Sequence, residues 1–159
     1  MEVDKYLAFR CPLRHQEKLY SYALERTRKG LLRSITTKCP QWVAQLEAIS
    51  SLEGLIIVGV NVDDGCGPSL AKLRSLKRLS LARSAVGDGV IPEISKLARL
   101  ERLDMSRTNI TDKGLLQIHL SKLKMLDLRN TSVTEDGIKE FLRQAPTDIK
   151  VLPWPKSSE

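Results

Sequence analysis

Residues 100–118 read LERLDMSRTNITDKGLLQI, and this stretch decides the fold of the chain. The segment 103–105 (LDM) alternates apolar and polar residues, which is typical of a short strand. The segment 114–118 (GLLQI) has the apolar spacing of a helix. Thr111–Asp112 precedes it and has the chemistry of a helix N-cap. A strand, a turn and a short helix in so few residues indicate one coil of a repetitive structure.

The same pattern occurs four times at a nearly constant spacing, with equivalent leucines at Leu52, Leu76, Leu100 and Leu123. Every aligned core position is aliphatic or methionine, so each copy is expected to bury one face against its neighbours. A fifth, truncated copy is predicted at Ile149 and Val151, which follow Leu126 and Leu128 by one more repeat length. The aligned core positions are Leu52, Leu55, Ile57 and Val62; Leu76, Leu79, Leu81 and Val86; Leu100, Leu103, Met105 and Ile110; and Leu123, Leu126, Leu128 and Val133.

A polar turn and then a glycine follow the strand in each copy. Asp or Glu in these turns suits the positive end of a helix dipole. The glycines are expected where neighbouring coils pack closely. They are Gly65, Gly89, Gly114 and Gly137.

These residues resemble the leucine-rich repeat family. The pattern L-x-x-L-x-L is intact in Leu76–Leu81 and Leu123–Leu128, and Thr-x-Ile/Val-Thr-Asp/Glu-x-Gly stands at Thr108–Gly114 and Thr131–Gly137. Such repeats are similar to those of bacterial leucine-rich proteins and to those that follow F-boxes in eukaryotic ubiquitin-ligase adaptors. The resemblance covers about Leu52 to Leu152. It implies an α/β solenoid, a right-handed superhelix with a short parallel sheet on its concave face and helices or turns on its convex face.

One departure from the family concerns its buried asparagine ladder. This chain has Val60, Ser84, Thr108 and Thr131 at those positions. The Ser and Thr hydroxyls are expected to hydrogen-bond the backbone of the adjacent coil. Val60 has no such group, so the first repeat is expected to be looser or covered by what precedes it.

The repeats divide the chain into residues 1–50, 51–152 and 153–159. Residues 1–50 are predicted to form a helical N-terminal cap, with one helix between Pro12 and Gly30, an edge strand at 31–35 and a second helix at 42–49. Terminal coils expose their core and need such covering. Residues 153–159 are predicted to be a tail that folds over the last coil, since Pro153 and Pro155 cannot continue a strand ladder.

Charge and cysteine content bear on location and partners. The formal charge of +7 favours anionic partners, and no apolar run is long enough for a membrane span. The N-terminus lacks the pattern of a secretory signal. Three cysteines with no C-x-x-C and no zinc-like spacing to histidine predict reduced thiols and a cytoplasmic protein.

No motif in the sequence supports catalysis. It contains no G-x-S-x-G, no Walker loop and no H-E-x-x-H. His15 and His119 are interpreted as helix or surface positions. Asp104 and Asp127 fall in one column of neighbouring strands, where a carboxylate pair suits a glycosidase or a metal site. We interpret these carboxylates instead as neutralised by Arg102, Arg107 and Arg129, which leaves a salt-bridged surface. We therefore predict no enzyme activity, no cofactor and no metal.

The concave face is the predicted binding surface, because residues between the strand leucines point away from the core. One column holds Ile56, Ser80, Asp104, Asp127 and Lys150. The next two hold Val58, Ala82, Ser106, Arg129 and Leu152, and then Gly59, Arg83, Arg107 and Asn130, with Arg78 and Arg102 flanking them. An apolar first coil beside arginines suits a protein-binding surface. Burial of Ile56 and Val58 under the N-terminal cap is the open alternative.

The function predicted first is a non-enzymatic, monomeric scaffold or adaptor that binds a protein with an acidic surface. The second is an accessory role on nucleic acid or a ribonucleoprotein, against which stands the lack of aromatic residues among the arginines. The third is an F-box-like ubiquitin-ligase adaptor, although residues 1–50 match no F-box pattern. A pull-down with and without nuclease separates the first two.

Overall fold

A computed structural model of the chain describes residues 6–10, 52–58, 62–145 and 149–152, and for residues 6–10 and 58 it describes the backbone only. Within these residues, six strands form one parallel sheet in sequence order. The strands are β1 (Tyr6–Arg10), β2 (Gly54–Val58), β3 (Arg78–Ser80), β4 (Arg102–Asp104), β5 (Met125–Asp127) and β6 (Lys150–Leu152).

Short helices lie between consecutive strands of the repeats. The helices are α1 (Gly67–Leu70), α2 (Ile91–Ile94), α3 (Asp112–Leu115) and α4 (Glu135–Gln144). A 3-10 turn, Asp64–Cys66 or Asp88–Val90, directly precedes each of α1 and α2. These two helices carry proline in their first turn, where a missing N–H costs nothing. The predicted α/β solenoid with a parallel sheet is therefore confirmed.

Leucine side chains stack between the coils to form the core. Leu55, Leu79, Leu103 and Leu126 are register partners on successive strands and are at most 2 % exposed. Burial of one such side chain contributes about 1.5–3 kcal/mol. Because each leucine packs against its equivalent in the next coil, the free energy of one coil depends on its neighbours.

Carboxylates on the helical side join each coil to the next. Asp64, Asp88 and Asp112, which we call the aspartate ladder, each accept a backbone N–H from the following coil, at 2.6, 2.9 and 2.7 Å respectively. Asp88 and Asp112 also accept the hydroxyls of Thr111 and Thr134. A Cβ at Gly89 would lie 2.6 Å from Asp64 Oδ2, and one at Gly114 or Gly137 would overlap the carboxylate of Asp88 or Asp112. The prediction that coils approach closely is confirmed at Gly89, Gly114 and Gly137, whereas a Cβ at Gly65 would meet Asp63 of its own coil.

The hydroxyls at the positions of the asparagine ladder act within their own coil rather than between coils. Ser84, Thr108 and Thr131 donate to the carbonyls of Leu81, Met105 and Leu128, each three residues earlier, at 2.6, 2.6 and 2.8 Å. The expectation that they bond the adjacent coil is wrong, because a hydroxyl is shorter than an asparagine amide and closes a local turn instead. Val60 lies outside the described residues.

Strand β1 was not predicted from the sequence. It pairs in parallel with β2 over five residues, Tyr6 with Gly54 through Arg10 with Val58. The division at residue 50, the helices and strand predicted between residues 12 and 49, and the tail at 153–159 concern residues outside those described, so they stay predictions.

Cys66 contradicts the prediction of reduced thiols. It is fully buried and is disulfide-bonded. Its partner cysteine lies outside the described residues. Spacing motifs missed this bond because disulfide partners are set by the fold rather than by sequence distance.

The close approach at the aspartate ladder predicts the effect of one methyl group. Gly114→Ala is expected to lower the free energy of unfolding by about 1–3 kcal/mol through overlap with Asp88, although alanine is the better helix former. Gly87→Ala is the control, because its Cβ would have its nearest contact at 3.5 Å. Urea unfolding measures both variants. Equal losses for the two would contradict the role given to Asp88.

Candidate functional site

Two columns of side chains cover the concave face of the sheet. The register of β2 to β6 places in one column Gly54, Arg78, Arg102, Met125 and Lys150, which we call the arginine column. The other, the carboxylate column, holds Ile56, Ser80, Asp104, Asp127 and Leu152. All members of the two columns except Lys150 line a shallow groove of about 410 Å³.

The last strand corrects one placement. Lys150 pairs with Met125 rather than with Asp127, and Val151 rather than Ile149 is the partner of Leu126. The predicted alignment of the fifth copy is therefore wrong by two residues, since this last repeat is longer and includes the ten-residue helix α4. A slip of two leaves each side chain on its predicted face of the strand, so Lys150 stays on the concave side.

Gly54 and Met125 were missed as members of the surface. Gly54 lies one repeat length before Arg78, and Met125 lies one repeat length after Arg102. The repeat spacing applied to these two arginines would have found them.

Asp127 and Arg129 form a tight ion pair at one end of the carboxylate column. Arg129 Nη2 lies 2.6 Å from Asp127 Oδ2, and its Nε and backbone N–H also donate to the carboxylate. Burial raises the pKa of Asp127, but these hydrogen bonds outweigh it and hold the pKa below its ordinary value. The same contact raises the pKa of Arg129. Arg129 therefore neutralises Asp127, as predicted.

Asp104 is held by hydroxyls. Its Oδ2 accepts from Ser80 Oγ at 2.9 Å, and its Oδ1 accepts from Ser106 Oγ at 2.7 Å and Ser106 N at 3.0 Å. No ion pair joins Asp104 to Arg102 or Arg107 among the described residues, so their predicted neutralisation of it is wrong. Asp104 and Asp127 each close the turn that follows their strand by accepting the amide two residues on. No cluster of three metal-ligating side chains occurs in the part of the chain that the structure describes.

Three arginines of the predicted site point their charge into solvent. Arg83, Arg102 and Arg107 are exposed, and their guanidinium groups make no hydrogen bond or ion pair with a described residue. Arg83 and Arg107 occupy equivalent positions on neighbouring coils. Their backbone N–H groups donate across to the carbonyls of Ser106 and Arg129.

Arg83 and Arg107 also have an unusual backbone. Their φ angles are 59° and 58°, and Asn130, the equivalent residue of the next coil, has φ 57°. This left-handed region suits glycine and asparagine but costs a residue with a long side chain about 1 kcal/mol. Two coils thus hold arginine where a less costly residue fits.

The apolar end of the site is open to solvent. Ile56 is 47 % exposed, so the burial by a cap that was the alternative for this residue is not observed. Met125 and Leu152 at the other end are half-buried. The side chain of Val58 lies outside the described residues.

The repeat itself matches a known family. Residues 99–118, which contain β4 and α3, match the model of the Leucine Rich repeat. The coil that decides the fold is thus the coil that the family model matches. The resemblance to the leucine-rich repeat family is thereby confirmed for this coil.

Solved structures resemble this chain in fold. A leucine-rich repeat protein of Leptospira interrogans matches 93% of the chain at 18% identity with a TM-score of 0.57. An internalin C2 of Listeria monocytogenes matches 79% at 17% identity with a TM-score of 0.49. This chain spans 36% and 62% of those two proteins. No curated protein sequence matches it significantly.

The Asp127–Arg129 pair predicts a pH-dependent stability. A carboxyl with a depressed folded pKa stabilises above its unfolded pKa of about 3.9 and loses that contribution as pH falls through the folded pKa. Arg129→Gln is expected to lower the free energy of unfolding by about 1–3 kcal/mol at pH 7, because it strips partners from a buried carboxylate. The loss should shrink as the pH is lowered through the folded pKa. Urea unfolding across pH measures this, with exposed Arg99→Gln as the control. A loss independent of pH would contradict the assignment.

The left-handed backbone conformation of Arg83 and Arg107 predicts that replacing both residues raises the stability of the fold. Arg83→Asn combined with Arg107→Asn is expected to leave the fold intact and to raise the free energy of unfolding by about 1 kcal/mol, because asparagine tolerates positive φ. Arg102→Asn is the matched control, since Arg102 lies in β4 and has no positive φ. Thermal unfolding measures both variants beside the unchanged protein. A clear destabilisation by the double variant would mean that these arginines support the fold.

Proposed function

We propose that this protein is a non-enzymatic interaction module that binds a partner protein through its concave face. The observation that carries the proposal is an exposed Ile56 and an exposed Arg102 in the two columns of the sheet, with exposed Arg83 and Arg107 in the turns that follow β3 and β4. None of these three arginines has a partner among the described residues. Leucine-rich repeats are interaction scaffolds, and solenoids offer extended concave surfaces. Arginine beside apolar surface is typical of interaction hot spots.

The nucleic-acid alternative finds less support on the same face. The two columns hold no aromatic side chain on which bases stack. Asp104 also lies between the arginines and repels phosphate. No observation on the described residues favours an F-box-like adaptor.

The wider setting of the module stays a proposal. The monomeric state, the scaffold role and the cytoplasmic location are parts of this proposal. The location was inferred from reduced thiols, and the disulfide of Cys66 removes that ground, since such bonds are rare in the cytosol. None of the described helices has the length and hydropathy needed to span a bilayer.

A pull-down with matched variants tests the proposal. The full chain is used as bait in a cell extract of the organism that naturally makes the protein, with and without nuclease. Bound proteins are identified by mass spectrometry. Ile56→Asp is expected to reduce capture of the bound protein at least about tenfold, because it places a charge in an apolar contact. Leu142→Asp is the control, since Leu142 on α4 is 45 % exposed, close to the 47 % of Ile56.

Three results would contradict the proposal: loss of the bound protein on nuclease treatment, an equal effect of the two variants, or an effect of Leu142→Asp alone. Melting curves of both variants show whether either has lost its fold.

A further inference from the structure

We propose that the partner presents an extended acidic segment to this face, with an apolar residue seated on Ile56 and carboxylates on three arginines of the β3 and β4 coils. We call these three side chains, Arg83, Arg102 and Arg107, the arginine field. The inference rests on the proposed function and adds to it the chemistry of the bound segment and the spacing of its contact residues.

The charges of the arginine field are not balanced by any described carboxylate. Asp127 is already paired with Arg129, and both carboxylate oxygens of Asp104 accept from serine hydroxyls. Arg83 and Arg107 are equivalent residues of neighbouring coils, and adjacent strands are about 4.8 Å apart. Like charges at this distance repel, and carboxylates of a partner would relieve the repulsion.

The backbone conformation of Arg83 and Arg107 also supports a binding role for their side chains. Both residues hold a left-handed conformation that Asn130 adopts at lower cost in the next coil. A strained backbone conformation that the fold does not require is typical of positions where the side chain has a function. At these two positions the side chain offers an exposed guanidinium, whose planar donors fit a carboxylate.

Ile56 sets a spacing within the bound segment. It occupies the column of Ser80 and Asp104, one and two strands away from them. Two strand spacings are about 10 Å, or about three residues of extended chain. A segment that crosses the strands would therefore place an apolar residue on Ile56 about three residues from a carboxylate on Arg102 or Arg107.

A protein segment fits this arrangement better than a nucleic acid. It can place an uncharged residue opposite Asp104 and an apolar one opposite Ile56. A nucleic acid carries a phosphate at every nucleotide and would meet Asp104 with negative charge. Charge and apolar contact together therefore favour an acidic peptide.

Synthetic probes test this inference without the natural partner. The full chain is titrated by fluorescence anisotropy with a labelled glutamate peptide of about eight residues, made in both chain directions so that one leucine stands about three residues before or after a run of glutamates. A second peptide has glutamine for each glutamate, and a third probe is oligothymidylate of similar length. Each titration is run at about 50 and 300 mM salt, which separates screened from unscreened charge contacts.

Two double variants of equal charge change isolate the arginines. Arg102→Gln with Arg107→Gln removes two guanidiniums of the field, whereas Arg99→Gln with Lys113→Gln removes two exposed charges outside the two columns. We expect the glutamate peptide to bind the first variant at least about tenfold more weakly, and the second within about twofold of the unchanged protein. Binding should also weaken at the higher salt, and the glutamine peptide should not bind. Melting curves verify that the variants fold.

Several results would overturn the inference. They are no binding of the glutamate peptide at about 1 mM, equal binding of the glutamine peptide, equal binding by the two double variants, or tighter binding of the oligonucleotide through the same arginines. If the pull-down still shows loss of a protein with Ile56→Asp, the proposed function stands and only the acidic segment is wrong. If the pull-down fails as well, the concave face itself is wrong.

Discussion

Each coil of this protein can bury its leucines only against another coil. A triplet such as Arg102–Asp104 is too short to be stable alone, and its single inward leucine has no core without the neighbouring strands. Stacking supplies that core, and the strand register follows because Leu55, Leu79, Leu103 and Leu126 must meet. Every other feature of the structure depends on this register.

The aspartate ladder fixes the same register on the helical side. Each carboxylate accepts an N–H from the next coil and fills the space that glycine leaves there. Two independent interactions, apolar on one side and charge-assisted on the other, thus hold neighbouring coils in one relative position. Because both interactions fix the same register, equivalent residues fall in columns on the concave face.

The concave face differs from coil to coil although its frame is the same. Ile56 lies on β2, and arginines occupy the β3 and β4 coils. The Asp127–Arg129 pair and Leu152 lie at the other end, in the β5 coil and on β6. Because the frame needs only the leucines, turn residues and glycines, these positions are free to set a partner's chemistry. The proposals on function rest on this division between frame and surface.

The amino-acid sequence by itself determined the period, and with it the strands, the close approach at Gly114 and the columns that hold Arg83 and Arg107. It could do so because every coil repeats the same local interactions, so position in the repeat predicts position in space. The tertiary structure alone decided that β1 joins the sheet, that Val151 and not Ile149 faces Leu126, and that Cys66 is disulfide-bonded. It also decided that Arg129 pairs with Asp127 while Arg102 and Arg107 make no ion pair with Asp104 among the described residues. Pairing of this kind depends on the reach of individual side chains and on segments outside the repeat, which periodicity does not record.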